Sequence, residues 1–436
     1  MRWQNWARTV RCQPAEVVRP RDDDEVVSVV KAAAAAGRRI KATGAGHSFT
    51  SIAATDGVQV RLDHLRGLRR LQPDGLDGAL ATVSAGTTIH ELNALLAAYG
   101  YGLTNMGDID VQTVAGAVST GTHGTGRSAA SLSAAVTGLR MVLPDGTLVD
   151  VGRHDDRPGA DLFHAARLGL GAVGIVTAVT FRVEPAFRLR AVTEPARLDD
   201  VLERLTYLAT EEEHCEFYWL PFTGTVQLKR QRRTTDRPSR PGRIASWLAN
   251  EVVENAGVAA VQRLSRAAPQ TTPALNRAAS RLIGRRSSVD AAPAVFTSSR
   301  RVRFHEMEYA LPLAAAVPAL RELRELTARG PWRIAFPVEV RFAPADDVWL
   351  SPAYGRDTVY IAVHAYPRTA YAGWFEAVER LWTSYSGRPH WGKLHTKGTE
   401  YLRDQYALMG EFVTVRDNVD PDRTMANGYL DRVLGR

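Results

Sequence analysis

Cysteine is nearly absent from this chain: Cys12 and Cys215 are the only two in 436 residues. Two thiols so far apart cannot build a disulfide framework or a four-ligand zinc site, and a reducing, intracellular setting is the simpler expectation. Long apolar runs are missing too. No stretch reaches the roughly 18 residues that a membrane helix needs, and the opening MRWQNWARTVRC lacks the apolar centre of a secretory signal. The expectation is a soluble, cytoplasmic protein with no membrane span. Lysine is scarce, five among 55 basic residues, so the net charge of +8 rests mostly on dispersed arginine. That distribution argues against nucleic acid as a partner. The one dense basic run, KRQRRTTDRPSRPGR at 229–243, contains two prolines and a glycine and reads as an exposed, solvated loop.

The usual nucleotide signatures are also missing. GLGAVG at 169–174 spells GxGxxG, but a helix-like stretch at 161–167 precedes it and a strand follows, which inverts the dinucleotide fingerprint. Gly392-Lys393 has neither the glycine spacing nor the following Ser or Thr of a Walker loop.

What is present is an ordinary globular composition, 45% hydrophobic and 23% charged, in a chain long enough for two or three domains. Up to residue 183, helix and strand signals alternate. A short strand begins at Glu16. A helix is expected over 24–36, with Asp22, Asp23 or Asp24 as N-cap and Gly37 as its stop. Strands follow at 40–43, 59–62 and 80–84, then a helix at 89–99. A hairpin joins 139–143 to 148–151 across Pro144-Asp145-Gly146, and a long apolar strand occupies 171–183. Beyond 186 the chain changes character. Strands are expected at 216–220, 337–342 and 359–364, loops and helices at 224–292, and short helices in the last forty residues.

Two glycine loops carry chemistry when taken together: GAGHSFT at 44–50 and VAGAVSTGTHGTG at 114–126. Glycine lets a backbone approach a ligand closely, and free amides bind phosphate oxygens without any lysine. Singly, each loop reads as a tight turn; jointly, they could enclose a dinucleotide. His47 lies inside the first loop, and a neutral imidazole is a nucleophile. Glu339 and Arg341 in PVEVRF share one face if that segment is a strand, with Val338 and Val340 on the other. That face either lines a site or carries an exposed cross-strand ion pair. HWGKLHT at 390–396 holds two histidines five apart with no other His or Cys nearby in sequence, so no metal site is expected. Lys393 there suits a developing oxyanion. His364, at the end of its strand, reads by itself as a core histidine.

GAGHSFT, NMGDIDVQTVAGAVSTGTHGTG, PVEVRF, SPAYGRDT, RPHWGK and DPDRTMANGYLDRVLG follow in this order. Together they resemble the FAD-linked sugar-lactone oxidoreductases of the vanillyl-alcohol oxidase superfamily, over nearly the whole chain. The resemblance implies an α+β fold: a PCMH-type FAD-binding domain of two subdomains, formed by 1–185 with 396–436 returning to it. A cap domain with a large antiparallel sheet, 186–395, would cover the flavin. It also implies FAD contacts from Ala42, Thr43, Gly44, Ala45, Gly46 and Ser48, with His47 bonded covalently to the flavin. Further cofactor contacts fall on Thr113, Gly116, Thr120, Gly121, Thr122 and His123, then Gly174 and Val176, with Gly107 against the flavin where dioxygen reacts. Glu339, Arg341 and Lys393 match the substrate residues, and Asp108 and His364 fall on the substrate side. The implied reaction is hydride transfer from an aldono-1,4-lactone to the flavin, with dioxygen or another electron acceptor reoxidising it. Glu339 or His364 would take the proton. The alternatives are an alditol oxidase, or a non-enzymatic basic binding protein on a degenerate flavin fold that uses 229–243 as its patch.

Overall fold

The computed structural model describes residues 2–75, 77–128, 130–153, 160–239, 258–298 and 302–436. Three sheets position the site. The first is small and parallel: Val58–Val60 lies between Glu16–Val18 and Ile40–Ala42. The helix Asp23–Ala35 packs on it through Val26, Val30 and Ala33. Asp22 caps that helix by accepting from the Glu25 N–H, and Gly37 follows its end at φ +60°.

The second sheet is antiparallel and runs Leu148–Gly152, Val136–Val142, Ile175–Pro185, Gly78–Ser84, Leu68–Asp74, with Tyr101–Gly102 pairing off Ile175–Pro185. Val136–Val142 and Leu148–Gly152 form the hairpin expected around Pro144-Asp145-Gly146, and Gly146 turns it at φ +85°. Thr88 and Glu91 cap the helix Ile89–Ala98 reciprocally. GLGAVG follows the helix Ala160–Ala166 and precedes the strand Ile175–Pro185, so its context is not that of a dinucleotide fingerprint.

The third sheet has eight strands: Arg286–Ala291, Arg188–Arg197, Thr225–Thr234, His214–Trp219, Val338–Ala343, Thr358–Ala365, His305–Pro312 and Arg388–Pro389. All its pairings are antiparallel. One face is apolar. Phe217, Val338, Val340, Ile361 and Met307 bury there against Leu320 and Leu323 of the helix Ala316–Arg329 and against Trp374 and Trp382 of Ala372–Ser384. The helices Thr399–Gln405, Met409–Val419 and Gly428–Leu434 place Leu402, Phe412 and Leu430 in one core with Val83, Leu92 and Val179. Among the described residues, no helix is long and apolar enough to cross a membrane.

The basic run at 229–243 needs correcting. Its first six residues are strand, the last part of Thr225–Thr234, and positions 240–243 lie outside the described residues. Lys229, Arg230, Arg232 and Arg233 pair with Glu216, Glu194, Glu212 and Glu184 in turn. Val226 and Leu228 keep the inward alternation of a strand, but paired arginines hide it further along. The same correction applies to 224–292, where Arg286–Ala291 supplies a further strand.

Candidate active site

The strand Ile40–Ala42 delivers the first glycine loop to the wall of a cavity. Residues 42–48 line it, together with Thr113, Gly116, Thr120, Gly174 and Val176. A Cβ on Gly44 would collide with the Thr113 hydroxyl, and Gly46 sits at φ +71°, so two of these glycines are required by geometry. The N–H groups of residues 44–48 make no hydrogen bond among the described residues. Five free amides along one cavity wall form a polar cradle.

Lys41 lies beneath this cradle, and the sequence reading missed it. It is 2% exposed. Its Nζ donates to the carbonyls of Gly171 at 2.8 Å and Met425 at 3.2 Å. Among the described residues no carboxylate pairs with it within ion-pair distance. Burial pushes its pKa down to about 7, partly offset by Asp420. The available signal was a rare lysine on an otherwise apolar strand leading into the glycine loop.

A second cavity of about 430 Å³ adjoins the first. His47, Ser48, Gln112 and Thr120 line both. Gly107, Asp108, Thr122, His123, Glu339, Arg341 and Lys393 line the second one. Gly107, Thr122 and His123 therefore stand beside the charged groups rather than in the glycine cradle. Gly121, at φ +73°, turns to Leu168, which a Cβ there would meet at 2.9 Å.

Sheet register explains how so many charges share one buried face. Arg341 stands opposite Glu216, and Glu339 opposite Tyr218. Glu306 stands opposite His364 on the next strand pair. Lys229 stands opposite Glu216. Side chains alternate along each strand, so these residues all emerge on the face away from the helices. Glu339 pairs with Arg341 and accepts from the Tyr218 hydroxyl at 3.0 Å. Arg341 also reaches Glu216 at 3.1 Å and Asp108 at 3.6 Å. Lys393 donates to Glu306 at 2.5 Å.

These pairs set the electrostatics. Burial alone would raise the pKa of Glu306, but the Lys393 ammonium more than offsets it and holds the group below the usual carboxylate range. Burial opposes the charge of Arg341 likewise, yet Glu339, Asp108 and Glu216 hold it firmly protonated. His47 is pushed down to about 4 by burial and then by Lys393, so its imidazole is neutral near pH 7.

Two histidines present one nitrogen each to a carboxylate. His123 Nδ1 donates to the Gly124 carbonyl at 2.9 Å, its Nε2 faces Glu308 at 3.4 Å, and its ring stacks on Tyr360 with centroids 3.6 Å apart. His364 Nδ1 donates to the Pro337 carbonyl at 3.1 Å, and its Nε2 faces Glu306 at 3.6 Å and Glu339 at 3.9 Å. His364 stands behind the cavity wall, against Phe304 and Phe336. His390 meets His123 and Glu308, a cluster that local spacing could not foretell. Its Nδ1 already accepts the Gly392 N–H at 3.0 Å, and the cluster of Glu306, Glu339 and His364 is neutralised by Lys393 and Arg341.

Comparison with known proteins gives a consistent answer. Residues 179–433 match the D-arabinono-1,4-lactone oxidase family, and residues 14–152 match an FAD binding domain. The chain is 38% identical to an L-gulono-1,4-lactone dehydrogenase of Mycobacterium tuberculosis, covering 99% of each. It is 30% identical to the L-gulonolactone oxidase of Bos taurus, covering 100% of this chain and 98% of the relative. Among solved structures it resembles the cholesterol oxidase from B. sterolicum, with a TM-score of 0.81 and 19% identity over 99% of this chain and 96% of that one. The fold is thus that of the cholesterol oxidase-like FAD-binding proteins. The glycine cradle fits FAD: it offers free amides, a buried lysine and a neutral imidazole along one wall.

Proposed function

The chain belongs to the D-arabinono-1,4-lactone oxidase family, and from that premise we propose that it oxidises an aldono-1,4-lactone, L-gulono- or D-arabinono-1,4-lactone, at a hydroxyl-bearing carbon. One observation carries the reading: the glycine cradle opens onto a cavity walled by Glu339, Arg341 and Lys393, and His47 lines both. Bound FAD supplies the hydride acceptor. The free amides of 44–48 hold its anionic part, and the neutral His47 is the point of covalent attachment. Residues 1–185 with 396–436 form the cofactor unit, and 186–395 supply the substrate face.

Arg341 and Lys393 polarise the reacting hydroxyl and offset the charge that develops as its proton leaves. Glu339 takes that proton. One of its oxygens is held by Arg341 and Tyr218, and the other faces His364, to which the proton can pass. Asp108 steers Arg341 from the far side of the cavity. Dioxygen accepts the electrons. The two free thiols fit a cytoplasmic setting.

A panel of gulono-, arabinono- and galactono-1,4-lactones beside xylitol and sorbitol, followed anaerobically by flavin bleaching, tests the reading. Lactones should bleach the flavin fastest. Faster bleaching by a polyol would make the enzyme an alditol oxidase, and a colourless protein would make it a binding protein.

A further inference from the structure

His47 is braced from outside its own loop. Strands Trp3–Gln4 and Arg11–Cys12 pair as a small hairpin, and the segment between them lies on the glycine loop. The Trp6 N–H donates to the Gly46 carbonyl at 2.8 Å. The Asn5 side chain donates to Ser48 O at 2.9 Å, and the Thr9 hydroxyl donates to Phe49 O at 2.7 Å. Three hydrogen bonds thus grip the carbonyls of Gly46, Ser48 and Phe49, which flank His47 on both sides. Trp3 closes over the loop as well, since a Cβ on Gly46 would meet its ring at 3.3 Å.

Trp6 does more than grip the backbone. Its ring stacks on the His47 imidazole, with centroids 5.4 Å apart and planes 22° from parallel. Its edge-on contacts with Phe49 and Phe304 fix the indole in turn. Trp6 lines the same cavity as His47. An imidazole on a glycine loop has free torsions of its own; a neighbouring indole held from two sides removes them.

We propose that residues 3–12 form a brace that presents the His47 imidazole to the flavin for covalent attachment, with Trp6 as the positioning residue. This rests on the attachment at His47 proposed above. Attachment joins an imidazole nitrogen to the methyl carbon on the flavin's benzenoid ring. One hydrogen leaves each partner as the C–N bond forms, and the two electrons and two protons pass to dioxygen, giving hydrogen peroxide. The protein's part is to hold a neutral nitrogen at bonding distance. Misplacement by about 1 Å is enough to slow such a step roughly 10²-fold.

The test uses the full-length protein. Wild type, Trp6→Ala, Trp6→Phe and Thr9→Val are produced with excess riboflavin, and covalent flavin is read as in-gel fluorescence after denaturation. Total flavin is read from absorbance before denaturation. Trp6→Ala should retain flavin but attach it at least tenfold more slowly; Trp6→Phe should restore most of the rate. Thr9→Val changes no ring and little volume, so it should fold and still slow attachment several-fold. Trp6→Ala or Thr9→Val protein that attaches flavin at the wild-type rate would overturn the brace alone. Wild-type protein whose flavin all dissociates on denaturation would overturn attachment at His47, and the brace with it.

Discussion

At the scale of single residues, the site depends on charges that would be prohibitive if unpaired. Glu339, 4% exposed, sits within reach of Arg341, Tyr218 and His364. Glu339→Gln keeps its shape and removes the proposed proton acceptor. Flavin reduction by the lactone should fall by roughly 10²-fold or more, with bound flavin unchanged. Near-normal reduction in anaerobic stopped flow would leave Glu339 a structural partner of Arg341. His47 gives a pH prediction. Its pKa falls from 6.5 to about 4 on folding, through burial and then Lys393. Between those values the unfolded chain carries a proton on this group that the folded one does not, so its contribution to stability weakens as pH falls through that window. The attachment of flavin proposed at His47 needs the neutral imidazole. Its rate should be flat from pH 8 to 6 and fall with a midpoint near 4. A midpoint near 6.5 in a pH series of attachment rates would show an imidazole that is not desolvated.

At the scale of elements, the sequence was most readable where one segment speaks for itself. The capped helices, the hairpin at Pro144-Asp145-Gly146 and the strand carrying PVEVRF follow from local periodicity and turn chemistry. The strand Thr225–Thr234 did not, because its arginines find carboxylates on other segments, Glu194, Glu212 and Glu184, that no local pattern can reveal. The C-terminal return is a similar long-range matter, and one side chain ties it to the segment after the first glycine loop. Asn427 is buried, and its Nδ2 lies within hydrogen-bonding distance of the carbonyls of Ser51, Ile52 and Ala54, just after the first glycine loop. Its Oδ1 caps the helix Gly428–Leu434 by accepting from the Leu430 N–H at 2.9 Å. Asn427→Ala removes a cap and leaves buried carbonyls unmatched. A loss of about 2–3 kcal/mol is expected in denaturant unfolding, together with weaker retention of flavin. A loss below about 0.5 kcal/mol would show that water or rearrangement replaces the asparagine.

At the scale of the whole molecule, the charged cavity is assembled from segments more than 300 residues apart, and the site was legible only in part. Motif order pointed to His47, Glu339, Arg341 and Lys393. It could not show that His123 meets His390 or that His364 stands behind the wall, since each depends on how distant segments pack. The electron acceptor is also a property of the assembly, and the relatives carry both names, dehydrogenase and oxidase. Gly107 lines the cavity and has no side chain to narrow it. A Cβ there would meet Thr122 Cγ2 at 3.1 Å and His123 O at 3.4 Å, so alanine would press Thr122 away from Gly107. Dioxygen should therefore reach the reduced flavin in the native protein. Substrate-reduced enzyme mixed with air-saturated buffer in stopped flow should reoxidise no more slowly than it turns over, with hydrogen peroxide formed in proportion. Gly107→Ala should slow that reoxidation roughly tenfold, equivalent to ~1.4 kcal/mol of barrier, while reduction by the lactone keeps its rate. Reoxidation far slower than turnover with an artificial acceptor would make the enzyme a dehydrogenase. An unchanged oxygen rate in Gly107→Ala would show that dioxygen takes a path that does not pass Gly107.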